Sequence, residues 1–169
     1  KGFWQERPEP NLKNYCDLVA LGTVADMVPL VEENRILCKA GLELIHSGRR
    51  PGLKALLEVS AIPGDFLDAD DIAFRLAPRL NAAGRMDHAA RAVELLTAKD
   101  MDSAREKAHT LNLLNQKRRQ IGQGILADIQ RFIENNASLL QRRSLVLANQ
   151  GWHTGVLGIV ASQISNAYY

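Results

Sequence analysis

Along most of this chain apolar residues return every three or four positions, the spacing of a single helix face. After Pro29, an acidic start at Glu32-Glu33-Asn34 leads into Ile36, Leu37, Ala40, Leu44 and Ile45, and Ser47-Gly48 closes that helix. Arg49-Arg50-Pro51-Gly52 opens a short helix to about Val59, and Ile62 to Leu67 is a loop broken by Pro63-Gly64. A helix from about Asp68 carries Ile72, Ala73, Leu76 and Leu80 inward, with Pro78 expected to kink it or end it early. Another runs from His88 to Thr97 through Ala89, Ala92, Val93, Leu95 and Leu96.

The longest pattern runs from about Asp102 to Asn135, capped from Asp100-Met101-Asp102-Ser103. Its apolar positions are Ala104, Ala108, Leu111, Leu114, Ile121, Ile125, Ile129 and Phe132. Such a helix extends roughly 50 Å, enough to bridge two domains. Gly122 and Gly124 weaken its middle by about 1 kcal/mol each relative to alanine, so a bend or a close packing contact is expected there.

Two stretches depart from helical spacing. Leu18-Val19-Ala20-Leu21 is a continuous apolar run and reads as a strand buried on both faces, reached through a Pro-punctuated loop from Glu6 to Asn11. Ser144 to Ala148, SLVLA, reads as a second buried strand. The expected class is therefore α/β: residues 1–50 the C-terminal part of one α/β domain, 51–100 a helical connector, 101–137 a long linking helix, and 138–169 the start of a second α/β domain.

Composition narrows the picture only slightly. In 169 residues, 46% apolar and 24% charged is ordinary for a globular domain, and a net charge of +2 does not by itself announce a nucleic-acid partner. The two cysteines, Cys16 and Cys38, have no metal-ligand spacing and read as buried free thiols of a cytoplasmic protein. No secretory signal and no bilayer-length apolar run is found. Lys1 and Tyr168-Tyr169 both look like cut ends, so an internal segment of a longer protein is expected.

Candidate chemistry lies in four places. Asp26, in DLVALGTVADMVPL, is expected just past the tip of the first strand, where α/β sheets place ligand chemistry. Desolvated there, it would need a partner or a metal; a plain turn or cap acid carries equal weight. In Arg79 to Arg85, RLNAAGR, small residues would let backbone amides approach a ligand while Asn81 and two arginines offer donors to phosphate. A Gly-terminated helix with solvated arginines fits the same letters. Asp87-His88 is no metal pair, since neighbours on a helix point apart, and reads as a cap and a surface histidine.

Gln150 to Ser162, QGWHTGVLGIVAS, follows a strand and opens a helix, which would leave free N–H groups and a positive dipole end for an anion. His153 could donate there to a phosphate oxygen, or simply pack beside Trp152. Lys117-Arg118-Arg119 and Arg142-Arg143 read as solvated helix faces, able to add backbone contacts if nucleic acid passes by.

In order and at these separations, DLVALGTVADMVPL, APRLNAAGRM and GWHTGVLGIVAS closely resemble the RecJ family, single-strand-specific 5′→3′ DNA exonucleases of the DHH phosphoesterase superfamily. EPNL, NRIL and RPGLKALLEV extend the likeness over nearly the whole chain. The resemblance implies a catalytic DHH domain joined by a long helix to a smaller DHHA1 domain, with single-stranded DNA threading between them and acting in repair and recombination. It implies that Asp26 ligates one of two Mn²⁺ or Mg²⁺ ions. Asn81 and Arg85 would face the DNA. His153, a catalytic candidate with Asp26, would grip phosphate together with Gly155, Gly158 and Ser162. Single-strand-binding protein and a helicase would be partners of a monomer, with no membrane.

The family's DxD, second aspartate and Asp-His-His motifs have no match here, and Gln163 stands where many members carry a basic residue. One aspartate cannot hold two ions roughly 3.5–4 Å apart, so the segment alone is expected to be inactive. A phosphoesterase of short oligonucleotides or cyclic dinucleotides, or an inactive DHH-type replication scaffold, would share these residues. The RLNAAGR and GWHTGV wording favours the exonuclease. A purely helical interaction module fits less well, because both strand-ending motifs are Gly-rich and polar.

Overall fold

A computed structural model describes residues 9–62 and 66–168. The start of the expected entry loop, the Pro63-Gly64 break and Tyr169 lie outside the described residues. Among the described residues every regular element is helical: after a 3₁₀ turn at Leu12–Tyr15 come α1 (Cys16–Ala25), α2 (Glu32–His46) and α3 (Pro51–Val59). Next are α4 (Ala69–Asp71), a π-helical turn (Ile72–Leu76), α5 (Ala77–Met86), α6 (Ala90–Leu96), α7 (Met101–Asn135) and α8 (Thr154–Tyr168). They form two compact units, residues 1–78 with 94–108 and residues 79–93 with 109–169.

The first expected strand is a helix. Leu18 to Leu21 lies inside α1, whose buried residues Cys16, Asp17, Ala20, Leu21 and Val24 trace one helix face. Val19, in the middle of the apolar run, is exposed. The face closes on α2, where Gly41 sits so near the Cys16 carbonyl and Ala20 that a β-carbon would overlap both. Two further contacts hold this unit. Asp17 takes the Arg50 guanidinium at 2.7 and 3.2 Å, and Arg105 on α7 reaches Glu58 at 3.0 Å.

α2 and α3 fall where the periodicity puts them, with Gly48 at φ 67° just beyond α2. On α2 the buried set is Cys38, Gly41 and Ile45, whereas Ile36 and Leu37 face outward. Asp68 caps α4 through a reciprocal capping box with Asp71. Pro78 neither ends nor breaks the helix that contains it. The widened turn immediately before it sends the Ala77 N–H back five residues to the Ile72 carbonyl, and α5 continues through the proline.

α7 starts where Asp100 accepts the Ser103 N–H at 2.8 Å. Its inward residues step by three and four through Ala104, Ala108, Leu111, Asn115, Arg118, Gly122, Ile125, Ile129 and Ile133. In the second unit Ile125, Ile129 and Ile133 meet Val156, Val160 and Ile164 of α8 at matching four-residue steps. Gly122 is the close packing point expected of it, facing Val156, while Gly124 faces open space.

The second expected strand carries no regular secondary structure. Leu145 and Leu147 turn toward the isoleucine–valine core and Val146 is 88% exposed, the alternation of a strand, yet no ladder partner is present among the described residues. The described residues are thus helical where α/β was expected. The strand reading persists only in the alternating burial of Leu145, Val146 and Leu147 ahead of α8.

Candidate nucleic-acid interface

Asp26 stands at the C-terminal end of α1, exposed rather than desolvated at a strand tip. Behind it the chain turns by a Schellman motif: the Met27 N–H bonds the Val24 carbonyl and the Val28 N–H the Thr23 carbonyl, both at 3.0 Å. That motif needs a left-handed residue, and Met27 takes the role at φ 54°, a place where glycine is usual. A carboxylate at the negative end of a helix is unfavourable. A cation lodged beside it would relieve both the carboxylate and the nearby carbonyls. The donor chemistry therefore fits a hard ion such as Mn²⁺ or Mg²⁺ as one oxygen ligand. It does not fit as a complete site, since no group of three metal-ligating side chains occurs among the described residues.

The remaining candidates lie in the second unit. RLNAAGR is helical throughout α5, so its amides are taken by the helix and are not free to cradle a ligand. Ala82 and Ala83 are fully buried packing residues. Asn81 and Arg85, one turn apart, form the exposed face. Arg79 is drawn onto α7 by Asn112 at 3.0 Å, which leaves Arg85 as the outward arginine of the motif.

Arg85 meets the GWHTGV stretch directly. Its guanidinium donates to the Gly155 carbonyl at 3.4 Å, and its own carbonyl oxygen occupies the space a β-carbon on Gly155 would need. His153 is the cap of α8: its Nδ1 accepts the Gly155 N–H at 3.1 Å, and its carbonyl accepts the Val156 N–H at 3.0 Å. Two of the expected free amides are therefore already bonded. With Nδ1 accepting, Nε2 is the ring nitrogen left to donate outward. Beyond the cap, Gly155, Gly158 and Ser162 share one face of α8, opposite Val156, Val160 and Ile164. Gly158 meets nothing within 4 Å and Ser162 is exposed.

Trp152 belongs to the core side. It packs against the isoleucine–valine cluster and lines a cavity of about 420 Å³ with Leu145, Leu147 and Ile164. His88 repeats the capping geometry of His153, its Nδ1 accepting the Ala90 N–H at 3.1 Å ahead of α6. The cap expected of Asp87 thus falls to His88, while Asp87 pairs with Arg91.

Sequence reasoning missed Asn115 and Arg118. Asn115 is 3% exposed and its Oδ1 has no partner; Arg118, expected on a solvated face, is half-buried with Nε also unpartnered. Burial, then Arg119 and Arg85, push the Arg118 guanidinium below its ordinary pKa. The signal was present in the apolar pattern of α7, which skips from Leu114 to Ile121 where an inward position should recur.

No family model matches the chain. Among curated proteins, the single-stranded-DNA-specific exonuclease RecJ of Dickeya dadantii is 46% identical over 173 residues, covering 99% of this chain and 30% of the relative. RecJ of Salmonella typhimurium is 45% identical over 178 residues, covering 100% and 30%. Among solved structures, exonuclease RecJ bound to manganese superposes with a TM-score of 0.84 at 35% identity, covering 95% of this chain and 40% of that one. RecJ from Thermus thermophilus in complex with Mn²⁺ gives 0.77 at 36% identity, covering 94% and 23%. The chain spans about 30% of the length of the curated relatives it matches.

Proposed function

This chain is homologous, over essentially its whole length, to a segment of the RecJ-family exonucleases, and on that premise we propose that it serves in a divalent-metal-dependent 5′→3′ nuclease of single-stranded DNA. The observation that carries the reading within the chain is the joint between Arg85 and Gly155. It locks the outward arginine of RLNAAGR beside the capped mouth of α8, so that a cation, an imidazole N–H and the open Gly158–Ser162 face share one region of the second unit. That set suits a phosphodiester backbone, which asks for charge-assisted donors and close approach rather than base readout.

In this reading Asn81 and Arg85 hold the strand, His153 donates from Nε2 to a phosphate oxygen, Gly155 contributes by seating Arg85 beside the mouth of α8, and Gly158 and Ser162 let the backbone approach α8. Asp26 supplies one oxygen ligand to a Mn²⁺ or Mg²⁺ pair. When bound, such a pair stabilises the attacking and leaving oxygens of phosphodiester hydrolysis. Residues 1–50 then belong to the catalytic DHH domain, 51–100 to a connector, 101–137 to the linking helix and 138–169 to a DHHA1 domain. A cytoplasmic role in repair and recombination follows, as a monomer alongside single-strand-binding protein and a helicase. What supports the DHHA1 assignment is the alternation in Ser144–Ala148, with Leu145 and Leu147 turned to the core and Val146 exposed.

The test is hydrolysis of a 5′-labelled single-stranded oligonucleotide with Mn²⁺ by a RecJ-family polypeptide carrying this segment. Asp26→Ala should lower the rate at least a hundredfold with the circular dichroism spectrum unchanged. Arg85→Ala and His153→Ala should each lower kcat/KM tenfold or more. A near-normal rate for Asp26→Ala would remove it from the metal site, and preferential cleavage of dinucleotides would move the chain to the oligonucleotide-degrading branch of the superfamily.

A further inference from the structure

Asp26 is followed by a segment that packing does not hold. Met27, Val28, Leu30 and Val31 are all exposed, so the apolar side chains between Asp26 and α2 contribute to no core. The backbone there nevertheless takes a demanding path, with two non-glycine residues in the left-handed region, Met27 at φ 54° and Glu32 at φ 46°. Such residues persist where their surroundings over-determine them, and strain of this kind gathers at functional sites.

Hydrogen bonds at its two ends fix the path. On the α1 side the Asp26 N–H bonds the Gly22 carbonyl, the Met27 N–H that of Val24 and the Val28 N–H that of Thr23, each at 3.0 Å. On the α2 side the bond comes from a side chain: Asn34 Nδ2 donates to the Pro29 carbonyl at 3.2 Å, reaching back five positions. The proline ring already sets φ at Pro29, so anchoring its carbonyl settles ψ as well. Asp26 to Val28 then lies between two fixed points.

Nothing in α2 asks for asparagine at this place. Asn34 stands in the first turn, after Glu32 and Glu33, where a third acid would suit the helix dipole and where asparagine is a weak helix former. Val31, which opens the helix, makes no side-chain cap for Asn34 to answer. The amide serves the loop instead.

We propose that Asn34 is a positioning residue for Asp26: through the Pro29 carbonyl it holds the turn that sets the Asp26 carboxylate for a divalent cation. The proposal rests on the reading of Asp26 as a metal ligand and adds to it a residue that acts only through that ligand. An exposed carboxylate on a loose turn must be ordered when the cation binds, whereas one fixed beforehand loses less freedom and binds more tightly.

Asn34→Leu tests this, because leucine has nearly the shape of asparagine, no donor and the better helix propensity. In the 169-residue chain, amide hydrogen exchange at Met27 and Val28 should quicken about tenfold, with Ile45 unchanged and the urea midpoint no lower. In a RecJ-family polypeptide carrying this segment, titration calorimetry should show the Mn²⁺ dissociation constant raised about tenfold, the low end of what loss of a supporting partner costs a metal site. The Mn²⁺ concentration for half-maximal hydrolysis should rise likewise, and saturating Mn²⁺ should recover the rate, a split that a merely weakened fold does not produce. Unchanged Mn²⁺ binding in Asn34→Leu, with binding weakened in Asp26→Ala, would overturn the positioning role and leave the Asp26 reading in place. Mn²⁺ binding unchanged in both variants would overturn that reading and the proposal with it. Should Asn34→Leu fail to fold, Asn34→Asp deletes the same donor and puts an acid where the helix dipole favours one. Faster exchange at Met27 and Val28 in that variant, at an unchanged urea midpoint, would support the role, and unchanged exchange would overturn it.

Discussion

The carbonyl oxygen of Arg85 lies where a β-carbon on Gly155 would have to be. The end of α5 and the start of α8 can therefore meet only if position 155 has no side chain. The obstruction is backbone, which cannot rotate aside as a side-chain tip would. The Arg85 guanidinium then folds over the same residue onto its carbonyl. Two motifs are joined across seventy positions through one absent methyl group.

Gly155→Ala should therefore cost the second unit on the order of 2–3 kcal/mol, the range of an overpacked core contact, and it should release Arg85 from its position. Gly158→Ala makes the useful contrast. Nothing lies within 4 Å of Gly158, so alanine there should stabilise α8 by up to about 1 kcal/mol through helix propensity alone. Urea titrations of the two variants check this. Equal destabilisation by both would mean that the Arg85 contact is not what glycine serves at 155. If the open face at 158 admits a DNA backbone, Gly158→Ala should also weaken oligonucleotide binding despite the gain in stability.

Met27 completes the turn behind Asp26 in a conformation that L-residues other than glycine adopt at a cost of roughly 1–2 kcal/mol. Its side chain is 87% exposed, so no packing compensates. Met27→Gly should stabilise the chain by about 0.5–1 kcal/mol after the greater backbone entropy lost by glycine is subtracted. Thermal or urea denaturation measures it directly. A loss of stability would show that the methionine makes a compensating contact in solution.

Legibility in the letters tracks how local each cause is. α2, α3 and α7 are legible because their starts and stops are written beside them: the acids at 32–33, Pro51 at the first turn, Asp100 before Ser103, Gly48 after His46. α1 is misread because Leu18-Val19-Ala20-Leu21 has no polar break, and a short apolar run satisfies either period. Its helical face, Cys16, Ala20 and Val24, becomes visible only with Gly41 of α2 pressed against it. The letters of RLNAAGR fit a ligand-facing stretch or a plain Gly-terminated helix, and only packing shows that Ala82 and Ala83 are small because they are buried. Arg85 and His153 stand out in the letters, while the role of His153 as the α8 cap depends on side-chain geometry that no motif records. Asn115 and Arg118 leave a trace, the missing apolar return between Leu114 and Ile121, which is easily passed over in a helix this long.

Cys38 gives a pH dependence with a defined sign. Burial raises its thiol pKa above the ordinary value of 9.0, and the hydroxyl of Thr23 offsets part of that. The folded chain thus holds the thiol proton more tightly than the unfolded chain does. The associated stability is whole below the unfolded pKa and is lost as pH rises through the folded one, so the window is alkaline. The stability difference between the unaltered chain and Cys38→Ala should be constant from pH 6 to 8 and shrink on passing above pH 9. In the same neutral range iodoacetamide should modify Cys38 far more slowly than a free thiol, since both thiolate fraction and access are low. Rapid alkylation of the folded chain at pH 8 would contradict the burial.

Asp17 and Arg50 make the most consequential ion pair of the first unit. Asp17 is 4% exposed and is held by two guanidinium nitrogens at 2.7 and 3.2 Å, with a third contact from Arg50 to the Leu96 carbonyl at 3.5 Å. Through that fork α1, the entrance to α3 and the end of α6 are tied at one point. Gly52 reinforces it, since the Leu95 carbonyl occupies the space of its missing β-carbon. Removing only the cation leaves a buried carboxylate with one N–H, that of Leu18, so Arg50→Met should destabilise the chain by about 3 kcal/mol or more. Adding Asp17→Asn to that variant removes the stranded charge and should return at least about 1 kcal/mol of the loss. Arg50→Lys should fall between, because an ammonium cannot reproduce the two-pronged contact. A double-mutant cycle by urea denaturation separates these terms, and an Arg50→Met variant as stable as the unaltered chain would mean that solvent reaches Asp17 and the pair is no more than a surface contact.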